Sequence, residues 1–112
     1  MTEPRLQASV LVSALVRRAE AEGGFAAVLA KGDPNAGSIL VILAERGRKV
    51  RILERLMQGN GQYSWQPVGE QALSEAEETE KFLRRRRQFD PDLWVVELDV
   101  ASAERFSEGM ND

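Results

Sequence analysis

Apolar residues recur with helical spacing near the start of the chain. Between Ser9 and Glu22, Leu11, Leu15 and Ala19 join Val12 and Val16 in one broad stripe, while Arg17, Arg18, Glu20 and Glu22 fall outside it. The spacing predicts a first helix, with Ser9 placed to cap its start and Gly23-Gly24 to end it. Val10-Leu11-Val12 also suits the opening of a strand, because β-branched residues are mediocre helix formers. Phe25 to Lys31 is short and apolar, and Gly32-Asp33-Pro34-Asn35-Ala36-Gly37 then supplies turn chemistry. Ile39 to Leu43 is a nearly continuous apolar run, which predicts a hairpin whose second strand is central. After the turn Glu45-Arg46-Gly47-Arg48, the segment Lys49-Val50-Arg51-Ile52 alternates as a strand with one wet face does. Gly59-Asn60-Gly61 turns the chain again, and Gln62-Tyr63-Ser64-Trp65-Gln66 alternates with Tyr63 and Trp65 on one face. Four successive strands in this order predict an antiparallel meander.

The helical period returns from Ser74 to Gln88. Ser74 and Glu77 have the spacing of a capping box, acidic residues occupy the early turns, and Lys81 and Arg84 through Arg87 the late ones, the order the helix dipole favours. Glu77 with Lys81 and Glu80 with Arg84 are spaced as i,i+4 pairs. Only Leu73, Ala76, Phe82, Leu83 and Phe89 remain for docking, so this helix belongs on the surface. Pro91 stops it, and Leu93 to Leu98 reads as a fifth strand covered on both faces, able to insert beside strand two or strand one. A short helix from Ser102 to Phe106 completes the pattern, with frayed ends expected at 1–6 and 107–112. The expected fold is α+β: a mostly antiparallel sheet of four to five strands with two main helices packed on it, in the order α-β-β-β-β-α-β-α. One sheet face is expected to be covered and the other left for a partner.

Length limits this pattern to one compact domain over residues 1–112, since 112 residues is a common single-domain size and suffices for a core without staples. Cysteine and histidine are both absent, which excludes disulfides, thiolate metal sites and cysteine nucleophiles, and removes the commonest catalytic base and nitrogen ligand. Fifteen basic against eighteen acidic residues leave a formal charge of -3, too modest to attract nucleic acid globally. The apolar runs fall short of the roughly 20 residues that span a bilayer, and the first residues lack a secretion pattern, so the expected location is cytoplasmic with no membrane partner.

Candidate chemistry is sparse. Asp90 and Asp92 flank Pro91, and Glu97 and Asp99 follow on the next strand; these carboxylates suit either Mg²⁺ or acid–base work, or the capping of a helix-to-strand turn. Ser13 has no histidine partner. The glycine-rich loops lack a phosphate-binding pattern, with Lys31 and Arg17 as their only helpers. Arg84 to Arg87 spread around most of a helical turn, so one or two must face the protein body, while Arg84 and Arg87 share a face with Lys81. Tyr63, Trp65, Lys81, Arg84, Arg87, Asp90, Asp92 and Trp94 make up the candidate interaction surface. No catalytic residue, metal ligand or cofactor is expected. The function expected is a non-enzymatic protein-interaction or adaptor domain, binding another protein or itself as a homodimer. Two alternatives stand beside it: an RNA- or DNA-binding accessory domain using the arginine cluster, and a Mg-dependent enzyme using Asp90 and Asp92.

Three islands bear on identity. They are Val12-Ser13-Ala14-Leu15-Val16-Arg17-Arg18; Gly23 to Val28 with Lys31 to Gly37; and Phe89-Asp90-Pro91-Asp92-Leu93-Trp94-Val95-Val96-Glu97. In order and spacing the chain resembles the bacterial family of small proteins called DUF1491. The resemblance implies a compact bacterial protein of about this size and supplies no catalytic residue to carry over.

Overall fold

The computed structural model describes residues 7–111, so the expected frayed segment 1–6 and the last residue lie outside the described residues. The first helix, α1 (Ala8–Ala21), buries Ala8, Val12, Leu15 and Ala19. It begins one residue before Ser9, and that serine is not its cap. Ala8 and Ser9 instead donate their amides to the carbonyls of Asn35 (3.3 Å) and Pro34 (3.0 Å), so the distant loop satisfies the free helix end. Gly23 ends the helix with φ 84°, as its place in the sequence implies.

Five strands follow: β1 (Phe25–Ala30), β2 (Ile39–Glu45), β3 (Arg48–Met57), β4 (Tyr63–Pro67) and, after the second helix, β5 (Trp94–Asp99). Their spatial order is β1-β5-β2-β3-β4. The strands β2, β3 and β4 form the antiparallel meander, but β1 and β2 do not form a hairpin: β5 lies between them, antiparallel to β1 and parallel to β2. The physical reason is burial. Ile39 to Ala44 of β2, and Trp94, Val95, Val96 and Leu98 of β5, are buried on both faces. Placing these two strands side by side in the middle covers both, and leaves the alanine-rich β1 at the edge.

Both faces of the sheet are covered, contrary to the expectation of one open face. On one, α1 packs with α3 (Ala103–Met110) over Val41, Leu43, Trp65, Trp94, Val96 and Leu98. This last helix runs past Phe106 through residues expected to fray, and Phe106 is fully buried. Its start is held by Ser102, whose Oγ accepts from the Arg105 amide (3.2 Å), and by Glu45, whose Oε2 accepts from the Ala103 amide (2.8 Å). On the opposite face, α2 (Ala76–Phe89) sets Leu83 over Leu40, Ile42, Ile52, Leu93 and Val95. The Ser74–Glu77 capping box does not form, and α2 begins after Glu75 with no side-chain cap. A 3-10 turn over Glu70–Leu73 takes Ser74 instead, whose Oγ donates to the Gln71 carbonyl (3.1 Å). Phe89 does not dock and is 83% exposed.

Candidate functional site

The carboxylates flanking Pro91 sit in a joint between two distant segments. The Asp90 carboxylate accepts the Asp92 amide (3.1 Å), and the Asp90 carbonyl accepts the Leu93 amide (3.1 Å). Turn capping thus falls to Asp90, whereas Asp92 supplies its backbone carbonyl to the Asp33 amide (3.0 Å). Asp33 in turn organises its own loop, its Oδ1 accepting the Asn35 amide at 2.8 Å, and its carbonyl accepts the Trp94 indole N–H at 2.8 Å. Gly32 and Gly37 close the joint: a β-carbon at either would fall on the Asp92 carbonyl oxygen and within 2.9 Å of Trp94 Cδ1. The Gly32–Gly37 loop and the Asp90–Trp94 turn are therefore one hydrogen-bonded unit, which gives the turn residues of both segments a shared structural role. Farther along β5, Glu97 pairs with Lys49 (3.5 Å), and the Asp99 carboxylate accepts the Arg46 and Gly47 amides at 3.0 and 2.7 Å. Among the described residues, no group of three or more acidic side chains gathers where it could hold a metal ion.

The arginine run divides as helical spacing requires. Arg86 points to the sheet and forks onto Glu54 of β3, Nη1 to Oε1 at 2.8 Å and Nη2 to Oε2 at 2.7 Å. That hydrogen bonding raises the Arg86 pKa above its ordinary value against the opposing effect of burial, which keeps the guanidinium charged near neutral pH. Because the folded-state pKa is raised, the contribution of the charged guanidinium is present through the neutral range and is lost only as pH rises through the arginine's own strongly basic titration. Glu54→Gln keeps the shape, removes the charge and leaves Arg86 half-paired. It is expected to cost about 2 kcal/mol in a urea melt, whereas Glu54→Leu combined with Arg86→Leu should lie closer to wild type. A single variant indistinguishable from wild type would show that the pair contributes nothing.

Arg84, Arg85 and Arg87 are exposed, and Lys81 reaches Glu78 at 3.7 Å, not Glu77. The aromatic candidates are not beside them. Trp65 belongs to the core under α1 and α3, on the sheet face opposite α2, with Tyr63 on the same side of β4 two residues away. Tyr63 receives the Arg55 guanidinium 4.3 Å above its ring. Trp65 and Trp94 are 7% and 4% exposed. Arg84 and Arg87 thus line one cleft while Lys81 reaches Glu78 away from it, Asp90, Asp92 and Trp94 share the joint, and Tyr63 with Trp65 stands apart from both.

Sequence reasoning missed the edge of β1. This strand, Phe25-Ala26-Ala27-Val28-Leu29-Ala30, carries no charge and no proline. Phe25, Val28 and Leu29 are 77%, 47% and 50% exposed. Its inner edge pairs with β5, and among the described residues nothing bonds its outer edge. The other edge of the sheet is protected: on β4, Asn111 accepts the Trp65 amide at 2.6 Å and donates to the Trp65 carbonyl at 3.0 Å, and Pro67 ends the strand. Beside β1 runs an open cleft of about 520 Å³, floored by Leu29, Ala30, Leu83 and Val95 and rimmed by Arg84 and Arg87. The missed signal was a short uncharged apolar strand, which reads as interior until its neighbours are known.

No helix among the described residues is long and apolar enough to cross a membrane. The comparisons with known proteins agree on one relationship. The model of the DUF1491 family, described as a protein of unknown function, matches residues 6–108. A crystal structure of a DUF1491 family protein from Caulobacter crescentus CB15 is similar at 35% identity and a TM-score of 0.77, over 91% of this chain and 94% of that one. An NMR structure of a DUF1491 family protein from the same organism gives 34% identity and 0.76 over 94% of each chain. A solution structure of an A. tumefaciens protein gives 34% and 0.74 over 93% of each. No curated protein matches the chain. With a family model matched over nearly the whole sequence and the same fold in relatives a third identical, the chain belongs to the DUF1491 family.

Proposed function

We propose that this domain is a protein-interaction module, not a catalyst, and that its binding element is the outer edge of β1. The observation that carries the reading is the contrast between the two sheet edges. A bare strand edge presents unpaired backbone N–H and C=O groups, a template for strand addition, and folded proteins blunt such edges with charge, proline or cover. Here β4 is blunted by Asn111 and Pro67, whereas β1 carries no charge, has no cover among the described residues and exposes three large apolar side chains. Of the carboxylates that favour an enzyme, Asp90 holds a turn, Glu97 an ion pair and Asp99 two backbone amides, while Asp92 enters the joint through its backbone and its side chain is exposed.

Leu29→Lys places a charge on the edge without disturbing the core, because Leu29 is half exposed. Tagged wild-type protein recovered from bacterial cells of the family is expected to carry a bound protein, either another species or an untagged second copy, that the Leu29→Lys variant lacks while melting at the same temperature. Identical sets of recovered proteins would overturn the assignment of the edge.

A further inference from the structure

We infer that the occupant of the β1 edge is β1 of a second copy, paired antiparallel about a two-fold axis through Ala27. This rests on the reading of β1 as the binding element and adds the partner and the register.

The faces of β1 limit the register to one centred on a residue, and the exposed Phe25 and Leu29 flank Ala27 symmetrically. Phe25 and Ala27 pair with Asp99 and Glu97, and Ala26 and Val28 with Leu98 and Val96. Leu98 and Val96 belong to the core under α1 and α3, so Ala26 and Val28 lie on that side of the sheet and Phe25 and Ala27 on the α2 side. Leu29 also lies on the α2 side, because it lines the cleft beside Leu83 and Arg84. Opposed residues in an antiparallel pair point to the same face. A self-pair centred on Ala27 therefore sets Phe25 against Leu29 of the second copy, twice, and Ala26 against Val28, twice, with every pair on one face. A centre shifted by half a residue, between Ala27 and Val28, would oppose side chains of opposite faces. The smallest side chain falls on the axis, where two copies approach most closely. The pairing irregularity of β1 lies between Val28 and Ala30, so it falls on Leu29, the last residue of the matched segment, and leaves Phe25 to Val28 in regular register.

Two further features fit the same arrangement. Phe25 of the second copy, opposite Leu29, comes to the apolar cleft floored by Leu29, Leu83 and Val95, below Arg84 and Arg87. Both copies of α2 then lie on one face of a continuous sheet and run antiparallel. The stripe of α2 toward β1 carries the acidic Glu80 in its first half and the basic Arg84 and Arg87 in its second. Reversal of the second helix brings each acidic half alongside a basic one. The stripe is self-complementary under a two-fold axis, whereas a parallel arrangement would set like charges together.

The test uses the absence of cysteine from the natural chain. Ala27→Cys should form a covalent dimer under mild oxidation, because paired antiparallel residues lie about 4.5–5.5 Å apart at Cα, within disulfide reach. Phe25→Cys should not cross-link at a comparable rate, since its opposite number is Leu29. In sedimentation velocity on the purified wild-type protein a concentration-dependent dimer is expected, and Phe25→Glu and Leu29→Lys should each sediment as monomer with an unchanged melt. Both changes in one chain set opposite charges across both pairs, and dimer should return. Wild-type protein that stays monomeric into the high micromolar range, or equal cross-linking at the two cysteine positions, overturns the self-pairing. The recovery experiment on Leu29→Lys then judges the interaction edge separately: a different protein species lost with that variant leaves the edge standing, and no difference removes it too.

Discussion

Trp94→Ala is expected to lower the unfolding free energy by about 3–5 kcal/mol, a large part of the roughly 5–15 kcal/mol that holds a domain of this size. The indole is 4% exposed in the core beneath α1 and α3, and its N–H bonds the Asp33 carbonyl at 2.8 Å. Truncation therefore leaves a cavity and strands a carbonyl that organises the Gly32–Gly37 loop. Because that loop also receives the first amides of α1, the damage should spread to the helix start. Trp94→Phe keeps most of the packing and loses the bond, and should cost about 1–2 kcal/mol. Chemical denaturation followed by far-ultraviolet circular dichroism measures both without relying on the deleted fluorophore. A loss below about 1 kcal/mol for the alanine variant would refute the role of Trp94 as the anchor of the joint.

Gly32→Ala should cost about 3 kcal/mol, at the severe end of overpacking, for a single added methyl group. Gly32 has an ordinary φ, so conformational freedom is not the issue; space is. The new carbon would meet the Asp92 carbonyl oxygen, and Trp94 Cδ1 at 2.7 Å, neither of which can yield without breaking the joint. Gly59→Ala is the matched control, because nothing lies within 4 Å of a β-carbon there, and its melt should be close to wild type. Equal melts for the two variants would show that the loop relaxes freely and that the close approach is not structural.

These two expectations concern residues that stood out in the sequence for a different reason. Asp90, Asp92 and the glycine-rich loop looked like candidate ligand chemistry, since carboxylates and glycines close together in sequence suit metal and phosphate sites. Their partners lie roughly 60 residues away along the chain, and a one-dimensional pattern does not show that a carbonyl across the fold uses the space a glycine leaves. Likewise Arg86 is one of four like residues in a run, and only the position of Glu54 on β3 singles it out.

What the sequence by itself determined is local. Alternation at Lys49–Ile52 and Tyr63–Trp65, the 3.6-residue stripe from Leu11 to Ala19, the stop at Pro91 and the doubly apolar runs of β2 and β5 each follow from the backbone period and the burial it permits, and the α-β-β-β-β-α-β-α order follows from them. Tertiary structure decided the rest. The insertion of β5 between β1 and β2 depends on which pair of doubly apolar strands is best buried in the middle, a comparison among segments far apart in sequence. The helix starts at Ala8 and Ala76 depend on carbonyls and turns elsewhere, so Ser9 and the Ser74–Glu77 box, sound as local signals, lost to them. Among the described residues the outer edge of β1 is bare only because β5 took the place beside β2 and left β1 outermost. A strand's exposure is a property of its neighbours, and for that reason the surface on which the proposed function rests was not legible in Phe25–Ala30 alone.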